Sequence, residues 1–337
     1  MPDLQVFTMT QDFRATGYFR ISPDSVMIRT VERPSAVHLH SGASRRFFSA
    51  TVSKFMETKP NHIELRSPRE IRKMRRAGLV VWEAHQAAAQ MLKPGVTTAE
   101  INEVFVSTFA KHQATSLFRG YGDPPFPAET CISVNEQVVH GVPGSQVIQE
   151  GDIVSLDTGC SVQGWCGDAA VTHAIGDIDP ESRELLTATN DVLNLAIEWM
   201  DRVTTWYEIA EVMQEFILDK GYSIVRELTG HGIGRVLHEP PSVPNYLPEN
   251  DNSLANFDIR PGLVIAVEPM VNLGTQEIEC LDDEWTVVTA DRKNSAHFEH
   301  TIAITREGPI RLTGPPDEEE LAQMEPWLHD SSKWIRW

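Results

Sequence analysis

The pattern of apolar positions predicts an amphipathic helix near residue 67. Ser67, Pro68 and Glu70 have the order of an N-cap, a first-turn proline and the closing residue of a capping box. Apolar residues then recur every three or four positions from Met74 to Ala88. One face of this helix is therefore predicted to be buried.

Three further helix starts repeat this signal. They lie at the Thr97/Glu100 capping box, at Asp179-Pro180 with an end near Arg202, and at the Thr205/Glu208 capping box. Strand-like runs follow each helix pair. Two helices and then strands thus occur twice, which indicates an α+β fold built from two related halves.

Two strand-like runs carry acidic residues in the stretch "IVSLDTGCSVQGWCGDAAVTHA", residues 153–174. A hairpin with its turn near Val162-Gln163-Gly164 places Asp157 directly opposite Asp168, with Cβ atoms about 4.5–5.5 Å apart. A β-bulge would shift this register by one residue. Carboxylates at that distance repel each other unless a proton or a cation lies between them.

The second half supplies more residues of this kind. Glu268 lies in the apolar run "AVEPM", Glu299 precedes another in "HFEHT", and His231 is flanked by glycines in "GHGIG". With Asp157 and Asp168 these make four carboxylates and one imidazole. This donor set suits Mn²⁺, Fe²⁺, Co²⁺ or Zn²⁺, and its size suits two ions that share bridging oxygens.

Each of these residues alone also has an ordinary structural explanation. A strand Asp is more often hydrogen-bonded to a loop than bound to metal, and a Glu before Pro is often a strand end. The five together favour a metal site, because few basic residues lie nearby to pair with them. His140 in "HGVPG" and His238 in "HEPP" are two further candidates, as substrate-positioning or proton-transferring imidazoles or as polar loop residues.

Composition narrows the class of protein. The 337 residues are 41% hydrophobic and 23% charged, as in a soluble globular protein, and we expect neither a membrane span nor a secretory signal. The net charge of −19 argues against nucleic acid binding through a broad basic face. Four cysteines without a CxxC pair favour a reducing cytoplasm.

Three segments are predicted along the chain. Residues 1–64 have no sustained period and form an irregular or loosely docked extension, and Met56 offers an alternative start. Residues 65–312 form the main folded domain, which carries the candidate metal ligands. Residues 313–337 form an acidic tail whose Trp327, Trp334 and Trp337 are expected to pack on the parent surface.

Five motifs together resemble type I methionine aminopeptidases of peptidase family M24. They are "ISVNEQVVHGVP", "GDIVSLDTGCSVQGWCGDAA", "GHGIGRVLHEPPSVPNY", "LVIAVEPM" and "SAHFEHTIAIT", which occur in the family's order at close to its spacings over residues 65–312. The resemblance implies the pita-bread fold, in which two pseudo-symmetric α+β halves surround a curved antiparallel sheet.

The resemblance also implies a role for each candidate ligand. Asp157 would chelate one ion, Asp168 and Glu299 would bridge two, and His231 and Glu268 would bind the second. Glu268 would also act as the general base. The implied cofactors are two divalent ions of Co, Mn, Fe or Zn.

Further positions match the family's substrate site. His140 and His238 match its substrate-contacting, catalytic histidines, and four residues match the wall of the methionine pocket: Phe126, Cys131, Leu237 and Trp285. Several positions depart from the family pattern, two of them near the candidate site. Leu237 replaces an aromatic residue, which implies a roomier pocket, and Cys166 replaces a histidine that is not a ligand.

The implied activity is removal of the N-terminal methionine from nascent polypeptides with a small second residue. The ribosome is a candidate partner, and a monomer is expected. One alternative is an X-Pro aminopeptidase or prolidase, although those enzymes carry a large N-terminal domain that about 64 irregular residues cannot make. The other is a non-catalytic ribosome-binding relative, which the five retained ligands disfavour.

Overall fold

The computed structural model describes residues 62–249, 255–324, 326–329 and 334–335. Residues 1–61 of the predicted N-terminal extension lie outside the described residues, as do Trp337 and the side chain of Trp327. In the described ranges, no helix combines the length and the apolar character needed to cross a bilayer.

Helices and strands alternate in two successive groups. The helices are α1 (Pro68–Ala89), α2 (Thr98–Lys111), α3 (Pro180–Trp199), α4 (Trp206–Asp219), the short α5 (Glu318–Leu321) and a 3₁₀ turn (Pro326–His329). The strands of the first group are β1 (Thr115–Ser116), β2 (Cys131–Val134), β3 (Gln137–Val139), β4 (Ile153–Val162) and β5 (Trp165–Ala174). Those of the second are β6 (Ser223–Ile224), β7 (Gly230–Gly232), β8 (Glu239–Val243), β9 (Val264–Val267), β10 (Met270–Asn272), β11 (Ile278–Cys280), β12 (Val287–Thr289), β13 (Ser295–His297), β14 (His300–Thr305) and β15 (Gly308–Arg311).

The predicted helix starts are confirmed. Glu70 accepts hydrogen bonds from the N–H and hydroxyl of Ser67 at 2.8 and 2.7 Å, and Glu100 accepts the same pair from Thr97. Glu208 does so for Thr205, and the side chain of Asp179 caps α3. Each start is therefore fixed by local side-chain chemistry that can be read from the sequence.

The β4–β5 hairpin forms with a register that differs from the predicted one. Asp157 lies opposite Ala170, and Asp168 lies opposite Gly159. The two-residue loop is Gln163-Gly164, with φ of 53° and 74°. A tight hairpin turn needs positive φ at both loop positions, which a loop containing the β-branched Val162 would resist. The prediction of direct opposition was wrong, but both carboxylates still share one face as a diagonal pair.

All strand pairs of the described chain are antiparallel, and they form two larger sheets with two smaller ones. β4 lies between β1 and β2 and also pairs with β5, while the second half forms the order β15-β14-β9-β7-β8. The smaller sheets have the orders β13-β10-β6 and β11-β12-β3. Because β3 of the first half pairs with β12 of the second, the halves share a sheet. The predicted α+β architecture of two halves is confirmed.

Each half has its own apolar core. α1 and α2 cover β2, β4 and β5 through residues such as Phe105 and Leu156. α3 and α4 cover β9 and β14 through residues such as Leu185 and Trp206. The helices thus cover one side of the strands, and the opposite side of β4 and β5 carries Asp157 and Asp168.

The segment after β15 returns along α1. The Arg75 guanidinium donates to the carbonyls of Leu312 and Gly314 at 2.8 and 2.9 Å and pairs with Glu320 at 2.7 Å. Farther along α1, Trp82 makes an edge contact with Trp334 at 5.0 Å between ring centroids. Of the tail's three tryptophans, Trp334 is the one whose packing the structure describes.

Close packing of α1 against the backbone generates a stability prediction. A Cβ atom at Gly78 would lie 2.0 Å from the Leu312 carbonyl oxygen. Gly78→Ala should therefore lower the free energy of unfolding by about 1–3 kcal/mol through overpacking. Helix propensity alone would raise it by about 1 kcal/mol. Urea denaturation measures the difference.

Gly144→Ala is the matched control. A Cβ atom there would meet nothing within 4 Å, and the Gly144 N–H donates to Thr98 Oγ1 in a bond that alanine retains. This variant should unfold within about 0.5 kcal/mol of the wild type. A Gly78→Ala protein as stable as the Gly144→Ala protein would show that α1 does not depend on this contact.

Candidate metal centre and substrate pocket

The β4–β5 hairpin gives the two aspartates room on one face. Asp157 faces Ala170 across the ladder, and Asp168 faces Gly159. A Cβ atom at Gly159 would lie 3.0 Å from Asp168 Oδ1, so the missing side chain creates the space that this carboxylate occupies. Small residues opposite both aspartates thus let the two carboxylates approach on the diagonal.

A hydroxyl bridge joins Asp168 to the second half. The Asp168 N–H donates to Thr301 Oγ1 at 3.0 Å, and the Thr301 hydroxyl donates to the Asp168 carbonyl at 2.8 Å. Next to it, the Glu299 N–H donates to the Ala170 carbonyl at 2.8 Å. These bonds fix the backbone positions of Asp168 and Glu299 relative to each other.

His231 lies on β7 with its two ring nitrogens in different environments. Nδ1 is 2.9 Å from the Gly232 carbonyl oxygen, which can only accept a hydrogen bond, so Nδ1 carries the proton. Nε2 therefore has a free lone pair, and it lies 3.6 Å from Glu268 Oε1. A lone pair on Nε2 is what a metal ligand requires.

Side chains from both halves converge at this point. Asp168, His231 and Glu299 are buried, and each offers one ligand atom within 4.8 Å of the others. Glu268 joins the group through its contact with His231, and the half-buried Asp157 lies diagonal to Asp168. All five candidate ligands are thus in one region of the fold.

Burial makes ionisation of the carboxyl groups in this region unfavourable. Burial, followed by the nearby acidic groups, raises the pKa values of Asp157, Glu268 and Glu299 well above their usual range. Burial raises the pKa of Asp168 to about 7, against a lowering effect of the Ala169 N–H. The four carboxyl groups therefore cannot all ionise at neutral pH without a compensating cation.

The described residues do not supply such a cation. Among the described residues, no Lys or Arg forms an ion pair with any of the four carboxyl groups. Three of their buried oxygens have no hydrogen-bond partner: Asp157 Oδ1, Asp168 Oδ1 and Glu299 Oε1. Unpartnered buried oxygens beside one imidazole lone pair fit a divalent cation, which would satisfy them all.

Two further histidines border the cluster. His238 contacts the His231 ring at 4.3 Å between centroids, and His140 contacts Trp285 at 6.0 Å. Burial lowers the pKa of His140 to about 4, and burial followed by the two neighbouring histidines lowers the pKa of His238 well below its usual value. Both rings are therefore neutral at pH 7. His140 also has a φ of 59°, an uncommon backbone conformation that is frequent at functional sites.

The four predicted pocket residues lie in one apolar cluster next to these histidines. Phe126 and Trp285 meet edge to face at 5.1 Å, and Cys131 and Leu237 belong to the same cluster. Burial, followed by the charge of Asp157, raises the pKa of the Cys131 thiol, so it remains protonated. These four side chains are therefore uncharged. Cys166 is fully buried in the same cluster.

Two residues near the centre were not predicted. His297 Nε2 lies 3.7 Å from Glu268 Oε2, and Tyr121 Oη lies 2.5 Å from His238 Nδ1. His297 precedes Glu299 by two positions, a spacing that indicates a shared strand face and was available in the sequence. Tyr121 had no such signal, because 117 residues separate it from its partner.

Comparison with known proteins gives the family. Residues 72–306 match the model of metallopeptidase family M24. A curated methionine aminopeptidase of Clostridium perfringens is 43% identical over 255 residues, which span 74% of this chain and 98% of that protein. "Methionine aminopeptidase 1" of Bacillus subtilis is 40% identical over 243 residues, which span 96% of that protein.

Solved structures agree with this match. The methionine aminopeptidase of Thermotoga maritima superposes with a TM-score of 0.70 at 38% identity, covering 75% of this chain and 99% of that one. The Xaa-Pro dipeptidase of Bacillus anthracis shares the fold alone, with a TM-score of 0.58 at 23% identity over 63% of its length. The family match and the identity over nearly the whole length of these relatives show that the chain belongs to the methionine aminopeptidases of metallopeptidase family M24.

Proposed function

We propose that this protein removes the N-terminal methionine from nascent proteins and peptides that have a small second residue. One observation carries the proposal, which is the convergence of Asp168, His231 and Glu299 within 4.8 Å of one another in a buried site. The relatives named methionine aminopeptidase support the substrate. A cytoplasmic monomer that meets its substrates at the ribosome is the setting we propose.

Five residues would hold two divalent ions of Co, Mn, Fe or Zn: Asp157, Asp168, His231, Glu268 and Glu299. Asp168 and Glu299 would be the two carboxylates shared by both ions, and both belong to the group of three converging ligands. When bound, such ions supply acidification of a water molecule and polarisation of a peptide carbonyl at neutral pH. The unpartnered oxygens of Asp168 and Glu299 support this assignment.

Glu268 would act as the general base. Its pKa is raised by burial and by the charge of Asp168, so its carboxylate has a strong affinity for a proton. The contacts of its two oxygens with His231 and His297, at 3.6 and 3.7 Å, direct the group into the cluster. A base in that position accepts the proton of the attacking water and later passes it to the leaving amine.

His140 and His238 would hold the scissile peptide. Both rings are neutral, so each has one N–H donor and one acceptor nitrogen. An N–H from His238 suits the carbonyl oxygen, where negative charge develops during attack, and His140 suits the scissile nitrogen. Hydrogen bonds of this kind orient the substrate without adding charge to an already acidic site.

The apolar cluster would bind the methionine side chain. Phe126, Trp285 and the protonated Cys131 form a neutral wall, and sulfur–aromatic contacts favour a thioether over an aliphatic chain of the same length. Leu237 completes the wall in place of a larger aromatic residue. An X-Pro peptidase is the weaker candidate, because relatives with that activity share the fold alone at 23% identity.

Removing one ligand charge tests the metal centre. Asp168→Asn and Glu299→Gln should each lower hydrolysis of a Met-Ala-Ser peptide by at least about 100-fold. Mutation of residues that only orient a metal ligand already costs about 10- to 100-fold, and loss of a ligand itself should cost at least as much. Both proteins should also lose bound metal by elemental analysis. Their melting temperatures in chelator should equal or exceed that of the wild type, because one repelling charge has been removed.

Asp177→Asn is the matched control. The Asp177 side chain is 96% exposed, and its partner Arg183 lies on the surface. This variant should retain wild-type activity and metal content. Full activity and full metal content in Asp168→Asn would contradict the assigned ligand roles.

Substrate choice tests the reaction. Protein stripped by dialysis against a chelator should be inactive, and Mn²⁺, Co²⁺, Fe²⁺ or Zn²⁺ added in turn should restore activity. The restored enzyme should release methionine from Met-Ala-Ser and leave an Ala-Pro peptide intact. Preferential turnover of Ala-Pro would favour the X-Pro alternative, and activity without any metal would exclude the proposed centre.

Pocket size tests the assignment of the methionine site. Leu237→Phe should reduce kcat/KM for an ethionine peptide relative to a methionine peptide by about 10-fold, because one methylene in an apolar pocket is worth 10- to 200-fold. Leu218→Phe on α4, where the side chain is 52% exposed, is the control and should leave this ratio unchanged. An unchanged ratio in Leu237→Phe would place the methionine side chain elsewhere.

A further inference from the structure

His238 is held on its Nδ1 side by a phenol. Tyr121 Oη lies 2.5 Å from His238 Nδ1, and the two rings meet edge to face at 5.2 Å between centroids. The His231 ring contacts the same imidazole at 4.3 Å. His238 is therefore placed between one residue of the metal cluster and one residue of the loop before β2.

That loop is closed on itself by backbone hydrogen bonds. The Gly120 N–H donates to the Phe126 carbonyl, and the Phe126 N–H donates to the Tyr121 carbonyl, both at 2.8 Å. The loop also packs on the pocket wall, because a Cβ atom at Gly122 would lie 2.6 Å from the Trp285 ring. Tyr121 is thus held in place by a rigid turn that belongs to the substrate pocket.

The hydrogen bond has a chemical consequence for the free side of the ring. A neutral imidazole has one ring proton, and the nitrogen that lacks it can accept a hydrogen bond but cannot donate one. A phenol that donates to Nδ1 leaves the proton on Nε2, which points away from Tyr121. The ring then offers an N–H, and not a lone pair, on the side that does not face Tyr121.

We propose that Tyr121 is a positioning residue that holds His238 as the Nε2–H tautomer, so that this N–H is presented to the scissile carbonyl of the substrate. The proposal rests on the proposed function for the meaning of the N–H, but the tautomer itself is a property of the free protein. The hydrogen bond also opposes a ring flip that would bring Nδ1 to the side of His231.

Nitrogen NMR of ¹⁵N-histidine-labelled protein tests the tautomer without substrate. The His238 signals are assigned by their loss in His238→Ala. In the wild type Nδ1 should be unprotonated and Nε2 protonated, and in Tyr121→Phe the two tautomers should become mixed. A wild-type His238 with its proton on Nδ1, or a tautomer unchanged in Tyr121→Phe, would overturn the proposal.

Kinetics test the consequence. Tyr121→Phe should lower kcat for Met-Ala-Ser by about 10- to 100-fold with a smaller change in KM, as for other residues that orient a functional histidine. Tyr246→Phe removes a comparable hydrogen bond, from the phenol to the Arg226 carbonyl at 2.8 Å, and should retain activity within about 2-fold. Equal losses in both variants would indicate a general structural effect and contradict the proposal.

A double-mutant cycle separates action through His238 from direct action on the substrate. In the His238→Ala protein, adding Tyr121→Phe should cause no further loss of kcat. A full additional loss would mean that the phenol acts independently of His238. If the wild type hydrolyses no Met-Ala-Ser, the proposed function fails, while the NMR measurement still decides the tautomer.

Discussion

The arrangement of the site depends on how the repulsion among four carboxyl groups in its interior is compensated. Asp157, Asp168, Glu268 and Glu299 lie in one region where burial raises all four pKa values, and no Lys or Arg of the described residues pairs with them. Such a group is tolerable only if the backbone holds it and a cation neutralises it. The sheets hold the backbone in place, because a ladder of hydrogen bonds fixes positions that a loop would allow to move apart. The need for neutralisation explains why the site requires a divalent ion to compensate the charge of its carboxylates.

Neither half of the fold contains a complete site. The first half contributes Asp157 and Asp168 on one hairpin. The second contributes His231 on β7, Glu268 between β9 and β10, and Glu299 between β13 and β14. The halves are joined at this point by hydroxyl groups. Thr301 bridges to the peptide of Asp168, and Thr172 in the same way accepts from the His297 N–H and donates to its carbonyl at 2.8 Å. Side-chain hydroxyls thus join β5 to β13 and β14, neither of which is its ladder partner. Metal binding at this point would stabilise the junction of the two halves.

The sequence predicted features that depend on near neighbours. Capping boxes at Ser67, Thr97 and Thr205 were predicted because donor and acceptor lie three residues apart. The acidic cluster was predicted because charges in apolar runs need a common explanation. The predicted hairpin register was wrong. The register depends on which residues tolerate positive φ in the turn, and these are Gln163 and Gly164 rather than the β-branched Val162. Tyr121 was missed because its partner is brought to it by the tertiary fold alone.

The two adjacent imidazoles show how a fold assigns different chemistry to identical side chains. The partner of Nδ1 in His231 is the Gly232 carbonyl, an acceptor, so the proton stays on Nδ1 and Nε2 keeps the lone pair that a metal needs. In the tautomer that we propose for His238, the partner of Nδ1 is the Tyr121 phenol acting as a donor, so Nε2 carries the proton that a carbonyl needs. The ring centroids are 4.3 Å apart, and burial lowers the pKa of both imidazoles, so the direction of the pKa shift does not distinguish them. What distinguishes them is whether the group beside Nδ1 accepts or donates a hydrogen bond. For His231 that group is a backbone carbonyl, and for His238 it is a tyrosine side chain.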